Sequence, residues 1–70
     1  MEIGGAVERV LSGGRVSRLD WNCKTLYLEW IKDGACFNGG WIGLFKDGKL
    51  VCPWTASQTD LVAVDWVVVK

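Results

Sequence analysis

Residues able to do chemistry cluster near the end of the chain. Thr55, Ser57, Gln58, Thr59 and Asp60 place three hydroxyls, an amide and a carboxylate close together, bracketed by Trp54 and Trp66. Asn22 follows Trp21 in a second polar stretch, Leu19-Asp20-Trp21-Asn22. Amides such as Asn22 and Gln58 carry donor and acceptor together, as reading a base edge or a ribose requires. A tryptophan face stacks on any base, for ~1–3 kcal/mol. This inventory suits a nucleotide-like ligand better than catalysis. The chain has no histidine, so a general base near neutral pH would have to be a shifted carboxylate, lysine or cysteine. Ser57 and Thr59 have no evident base partner, and Cys23, Cys36 and Cys52 have no histidine to activate them. The expectation is a protein that is not an enzyme and needs no cofactor or metal.

Local structure follows from the same residues. Thr55-x-x-Gln58 and Ser57-x-x-Asp60 both read as capping boxes, in which a hydroxyl covers backbone N–H groups and a side chain three residues on reaches back. Strand-like sequence resumes at Asp65, which limits the helix to one or two turns. Its N-terminus gathers backbone donors suited to an anion or a sugar. Asp60 in that first turn either completes the cap and favours the helix dipole or accepts ribose hydroxyls. Its charge would repel a phosphate, which is expected instead at Ser57, Thr59, backbone N–H groups and Arg18. Arg15 and Arg18 fall on opposite strand faces, so at most one of them reaches a shared pocket. Asp65 starts a strand and is expected to support the 57–60 turn rather than touch ligand. Trp66 alternates with Val68 and reads as core; Trp30 alternates with Leu26 and Leu28 and reads as core or interface. Trp21 is either a core-closing aromatic or a stacking platform. Trp41 and Trp54 stay open.

The run Pro53-Trp54-x-Ala56-Ser57-Gln58-Thr59-Asp60-x-x-Ala63-x-Asp65-Trp66, with Arg18-x-x-Trp21-Asn22 upstream, resembles the Thoeris anti-defence 2 family. Members of that family are small phage proteins that act as sponges. They sequester a glycocyclic ADP-ribose that a bacterial TIR-domain enzyme makes on infection. The resemblance is close in the C-terminal third and looser in the N-terminal third. It implies a homotetramer built from dimers, with pockets between chains, acting in the cytoplasm of the infected bacterial host. It also selects Arg18 over Arg15. The ligand-binding residues it points to are Arg18, Trp21, Asn22, Trp54, Ser57, Gln58, Thr59 and Asp60, with Asp65 and Trp66 behind them.

Composition narrows the class independently. Seventy residues make one domain, 1–70. A chain this short buries only about 60% of its unfolded surface. Disulfides, metal or oligomerisation usually make up the difference. Three cysteines without a C-x-x-C pair cannot complete a disulfide set, and with no histidine they leave a tetrahedral zinc site short of ligands. Cys23, Cys36 and Cys52 are expected as buried thiols in a reducing compartment. Hydrophobic residues make up 50% of the chain and five residues are tryptophan, more than one small core can hide. Oligomerisation is the remaining stabiliser. Lys and Arg number 8, as do Asp and Glu, and no basic run offers a nucleic-acid footprint. The start Met1-Glu2-Ile3 lacks a basic n-region, so no signal peptide is expected. The longest apolar runs, 61–64 and 66–69, fall far short of the ~20 residues that span a bilayer.

Periodicity predicts a helix over residues 2–12, with Ile3, Ala6, Val7, Val10 and Leu11 on its apolar face and Gly13-Gly14 as its stop. Gly4 and Gly5 in the first turn read as close packing or fraying rather than a phosphate loop. Strands are expected at 15–19, 25–31, 41–46, 49–52 and 65–70, with a turn at 32–34 and a short piece at 35–38. In the second strand Leu26, Leu28 and Trp30 share one face and Tyr27, Glu29 and Ile31 the other; both are apolar enough for a central or subunit-covered strand. Asp47-Gly48 marks a type I′ hairpin, and Pro53 ends a strand or sits at an edge. The fold class is α+β: an N-terminal helix packed on a four- to five-stranded antiparallel sheet, with a short helix before the last strand. The alternatives to a glycocyclic ADP-ribose sponge are a sponge for cyclic oligonucleotides and a protein–protein module that uses its tryptophans as anchors. Excess apolar surface predicts that light scattering at micromolar concentration gives a dimer or tetramer mass; a clean 7.8 kDa monomer would remove a pocket between chains.

Overall fold

A computed structural model describes residues 1–21, 25–32 and 39–69. The elements run α1 (Ile3–Leu11), β1 (Arg15–Arg18), β2 (Leu26–Ile31), β3 (Trp41–Lys46), β4 (Lys49–Pro53), α2 (Gln58–Val62) and β5 (Trp66–Val69). The five strands form one sheet in the order β4-β3-β2-β1-β5, and every pairing is antiparallel. This is the expected α+β architecture, with five strands rather than four. The expected turn at 32–34 and short piece at 35–38 lie mainly outside the described residues, as do Asn22, Cys23, Cys36 and Lys70.

Helix α1 forms because Ile3, Ala6 and Val10 fall on one stripe. Ala6 and Val10 are buried against Val16 of β1, Leu28 of β2 and Trp66 of β5. Leu11 was expected on this stripe but is 56% exposed. Five residues beyond Ala6, it has rotated well off the packed side at 3.6 residues per turn. A Schellman closure stops the helix. Gly13, at φ 95°, donates to the Val10 carbonyl at 3.0 Å and Gly14 to that of Arg9 at 2.9 Å. A Cβ on Gly4 would meet nothing within 4 Å, so close packing against the sheet does not require a glycine there.

Alternation sorts the strands as read. Leu26, Leu28 and Trp30 of β2 pair with Lys46, Leu44 and Ile42 of β3 on the helix-bearing face. On the other face Tyr27 stacks on Phe45, with ring centroids 5.2 Å apart, and Arg15 lies over the Tyr27 ring. Among the described residues no helix covers that second face. β2 is the central strand. Asp47 and Gly48 both take positive φ, 53° and 80°, as a type I′ turn requires. β4 is an edge strand whose five residues are all exposed, and Pro53 closes it, a position that needs no ladder donor. Cys52 lies on this edge and is exposed, against the expectation of a buried thiol, because α1 packs over β1, β2 and β5 and leaves β4 bare. β1 stops at Arg18, leaving Leu19 73% exposed.

Two glycines test this packing in opposite directions. A Cβ on Gly40, at φ 123°, would stand 2.5 Å from the Ile31 carbonyl oxygen and 2.7 Å from the Trp30 ring. Gly40→Ala should therefore lower the melting temperature sharply. Gly4→Ala, in open helical space, should raise stability by up to ~1 kcal/mol. Thermal unfolding of both variants checks the pair, and a neutral Gly40→Ala would contradict the close approach.

Candidate functional site

The polar segment after β4 folds onto the helix-bearing face through its own side chains. Of the two overlapping capping boxes, the second forms. Ser57 is the N-cap of α2: its hydroxyl accepts from the Asp60 N–H at 3.1 Å, and its own N–H donates to Asp60 Oδ2 at 3.2 Å. Thr55 lies before the cap. The α2 N-terminus is thus partly covered by its own box rather than open.

Asp60 has a second attachment. Arg18 donates through Nη1 to Asp60 Oδ1 at 2.9 Å and through Nε to Asp65 Oδ1 at 2.8 Å, and Nη2 approaches Asp20 at 3.8 Å. The Arg18 side chain is only 9% exposed. Asp65 Oδ2 also accepts from the Asp20 N–H at 3.0 Å. One guanidinium therefore ties the end of β1, the loop beyond it, α2 and the start of β5. Its charge is paired inside the protein with Asp60 and Asp65. Asp65 is linked to the 57–60 turn through Arg18.

The titration behaviour follows from this geometry. Burial pushes the Asp60 carboxyl up, but the Ser57 N–H, Arg18 and the Ser57 hydroxyl outweigh it, and the Trp21 indole pulls the same way; the net shift is downward. Asp65 is lowered chiefly by Arg18, against a smaller opposing push from burial. Arg18 is raised by its bonds to Asp65 and then Asp60.

Trp66 is the buried hub, 1% exposed. Its indole N–H donates to the Asp60 carbonyl at 3.2 Å. Trp21 and Trp54 both meet it edge-on, at centroid distances of 5.5 and 5.8 Å. Trp66 is core, as read. Trp21 and Trp54 have mixed roles: half-buried against the core, each with a side on an open cleft. That cleft has a volume of about 370 Å³ and is walled by Trp21, Trp54 and Asp60 with Thr55 and Pro53 beside them; Leu26, Leu44 and Cys52 of the sheet line it too. The structure brings Trp21, Trp54 and Asp60 of the predicted site together there. Ser57, Gln58 and Thr59 are exposed on the first turn of α2 and do not line the cleft. Leu26, Leu44 and Cys52 were missed as lining residues. Leu44 shares the Leu26–Leu28 face only through strand register, which sequence alone does not fix.

The profile of the Thoeris anti-defense 2-like domain matches residues 1–69. The chain belongs to this family. No curated protein sequence matches it. Among the described residues no group of three or more acidic or cysteine side chains is placed to hold a metal ion, and no helix is long and apolar enough to cross a membrane. Asp60, Asp65 and Trp66 interlock with Arg18 to hold α2 against β1 and β5, whereas Trp21 and Trp54 line the cleft.

Acid should loosen this arrangement in a defined window. Asp60 and Asp65 have folded-state pKa values below the ordinary 3.8, so the unfolded chain takes up protons first as pH falls. Their contribution is complete above about pH 4 and is lost as pH drops through the lowered values. Melting temperature measured from pH 7 to 2 should fall mainly below pH 4. Asp60→Asn and Asp65→Asn should start lower and show a shallower acid decline; wild-type-like decline in both would contradict the pairing.

Proposed function

We propose that this Thoeris anti-defense 2-like protein binds a cyclic nucleotide-derived immune signal, glycocyclic ADP-ribose, and holds it without altering it. The observation that supports the reading is the cleft between Trp21 and Trp54. Its two tryptophans offer aromatic faces to a base, and Asp60 and Thr55 supply polar atoms suited to ribose hydroxyls. The cleft's volume is at the lower end of ligand-sized pockets. A molecule the size of ADP-ribose would therefore extend beyond it, toward Ser57, Gln58 and Thr59 or onto a second chain. Sequestration rather than turnover accords with the state of the cleft's carboxylate: Asp60 is paired with Arg18 and capped onto Ser57.

Assembly as a homotetramer built from dimers is part of the proposal. It is supported by the helix-free sheet face carrying Tyr27 and Phe45 and by Leu19, Val62 and Val64, which are 73%, 77% and 69% exposed. The site of action is the cytoplasm of the infected bacterium. The same exposed residues favour a second reading, a protein–protein module. A sponge for cyclic oligonucleotides would use the same aromatic faces.

Ligand-dependent melting separates these readings. A ligand bound only by the folded state at a hundred times its dissociation constant adds ~2.7 kcal/mol, several degrees for a domain of this size. Glycocyclic ADP-ribose should give such a shift and linear ADP-ribose should not. A shift with cyclic oligonucleotides alone would favour the second sponge; none with either would favour the module. Trp21→Ala should keep its oligomer mass and lose the shift. It removes a half-buried ring, so its loss of stability should stay below the ~3–5 kcal/mol of a full core truncation.

A further inference from the structure

With Arg18 committed to Asp60 and Asp65, no cation lines the cleft among the described residues, yet a nucleotide brings phosphates. Strand register places two lysines beside it. Leu26 and Leu44 both line the cleft. Lys46 is the cross-strand partner of Leu26 and lies two residues along β3 from Leu44, so it shares their face. Lys49 is in turn the partner of Lys46 across the hairpin. Leu26, Lys46 and Lys49 thus form a row across β2, β3 and β4, next to the row of Leu28, Leu44 and Cys52. A β-bulge between Leu44 and Phe45 keeps both rows on the helix-bearing side, with Leu44 opposite Cys52 and Phe45 opposite Leu50. Both lysines are exposed. The ion pairs formed among the described residues are those of Arg15 and Arg18, and neither lysine takes part. Asp47, in the turn between them, forms no ion pair with either. Like charges directly opposite on a sheet destabilise it, so the pair is a cost to the fold that a bound anion would relieve.

We propose that Lys46 and Lys49 form the phosphate subsite of the Trp21–Trp54 cleft, so that the pocket takes an aromatic ring between α2 and the sheet and an anionic group at the β3–β4 hairpin. This rests on the nucleotide reading above and adds to it the residues that meet the charge. Two flexible ammonium groups at the rim act as point charges, which makes the subsite tolerant of phosphate geometry and sensitive to salt.

Calorimetric titration of the wild type, Lys46→Gln/Lys49→Gln and Lys46→Arg/Lys49→Arg tests the assignment, with glycocyclic ADP-ribose, ADP and adenosine as probes at low and high salt. In the wild type at least one phosphate-bearing probe should bind about tenfold or more tightly than adenosine, with the advantage shrinking in high salt. The glutamine pair should lose that advantage, bind adenosine as before and melt no lower than the wild type; the arginine pair should keep it. An advantage that survives in the glutamine pair, or its absence for every phosphate-bearing probe in the wild type, overturns the assignment. A lysine-dependent advantage for ADP without binding of glycocyclic ADP-ribose would overturn the signal reading and leave the subsite standing.

Discussion

The site depends on one buried guanidinium. Arg18 reaches across the sheet end to Asp65 and up to Asp60, and each contact does work that the others need. Asp60 also closes the capping box of a five-residue helix, too short to persist on its own propensity. Its carbonyl takes the Trp66 N–H, which fixes the ring against which Trp21 and Trp54 both pack edge-on. Removing a carboxylate from Arg18 would leave a poorly hydrated charge near the core, which costs more than the pair itself contributes. The aromatic walls of the cleft are thus positioned by an ion network of which Asp60 lines the cleft.

This arrangement divides the labour among residues that stand side by side in the sequence. Asp60, Asp65 and Trp66 bind the fold together, whereas Trp21 and Trp54 keep surface free. Half-buried tryptophans suit that double role, since one part of the ring packs in the core while another meets solvent or ligand. The lysines of the β3–β4 hairpin lie on separate elements, so charge recognition can vary without disturbing the ion network.

Much of the fold was legible because its signals are local. Period-3.6 spacing gave α1, Asp47-Gly48 gave the hairpin, and Ser57-x-x-Asp60 gave the cap, each fixed within a few residues. The site was legible only by residue type. That Arg18 would be turned inward depended on Asp65 arriving forty-seven positions later, a contact no local pattern encodes. The exposure of Cys52 likewise depended on which strands α1 covers, and that of Leu11 on which side of α1 meets the sheet. Leu44 joined the cleft through the β2–β3 register, and Cys52 through a β3–β4 register that the bulge at Leu44/Phe45 helps to set; bulges leave little mark in the sequence.

The central claim is capture without conversion. Its most direct measurement is mass spectrometry of what the protein releases on heating after incubation with glycocyclic ADP-ribose and removal of unbound material. Sequestration predicts recovery of the intact cyclic molecule in stoichiometric proportion to protein. Recovery of a linearised or hydrolysed product that accumulates with turnover, or of nothing at all, would contradict it.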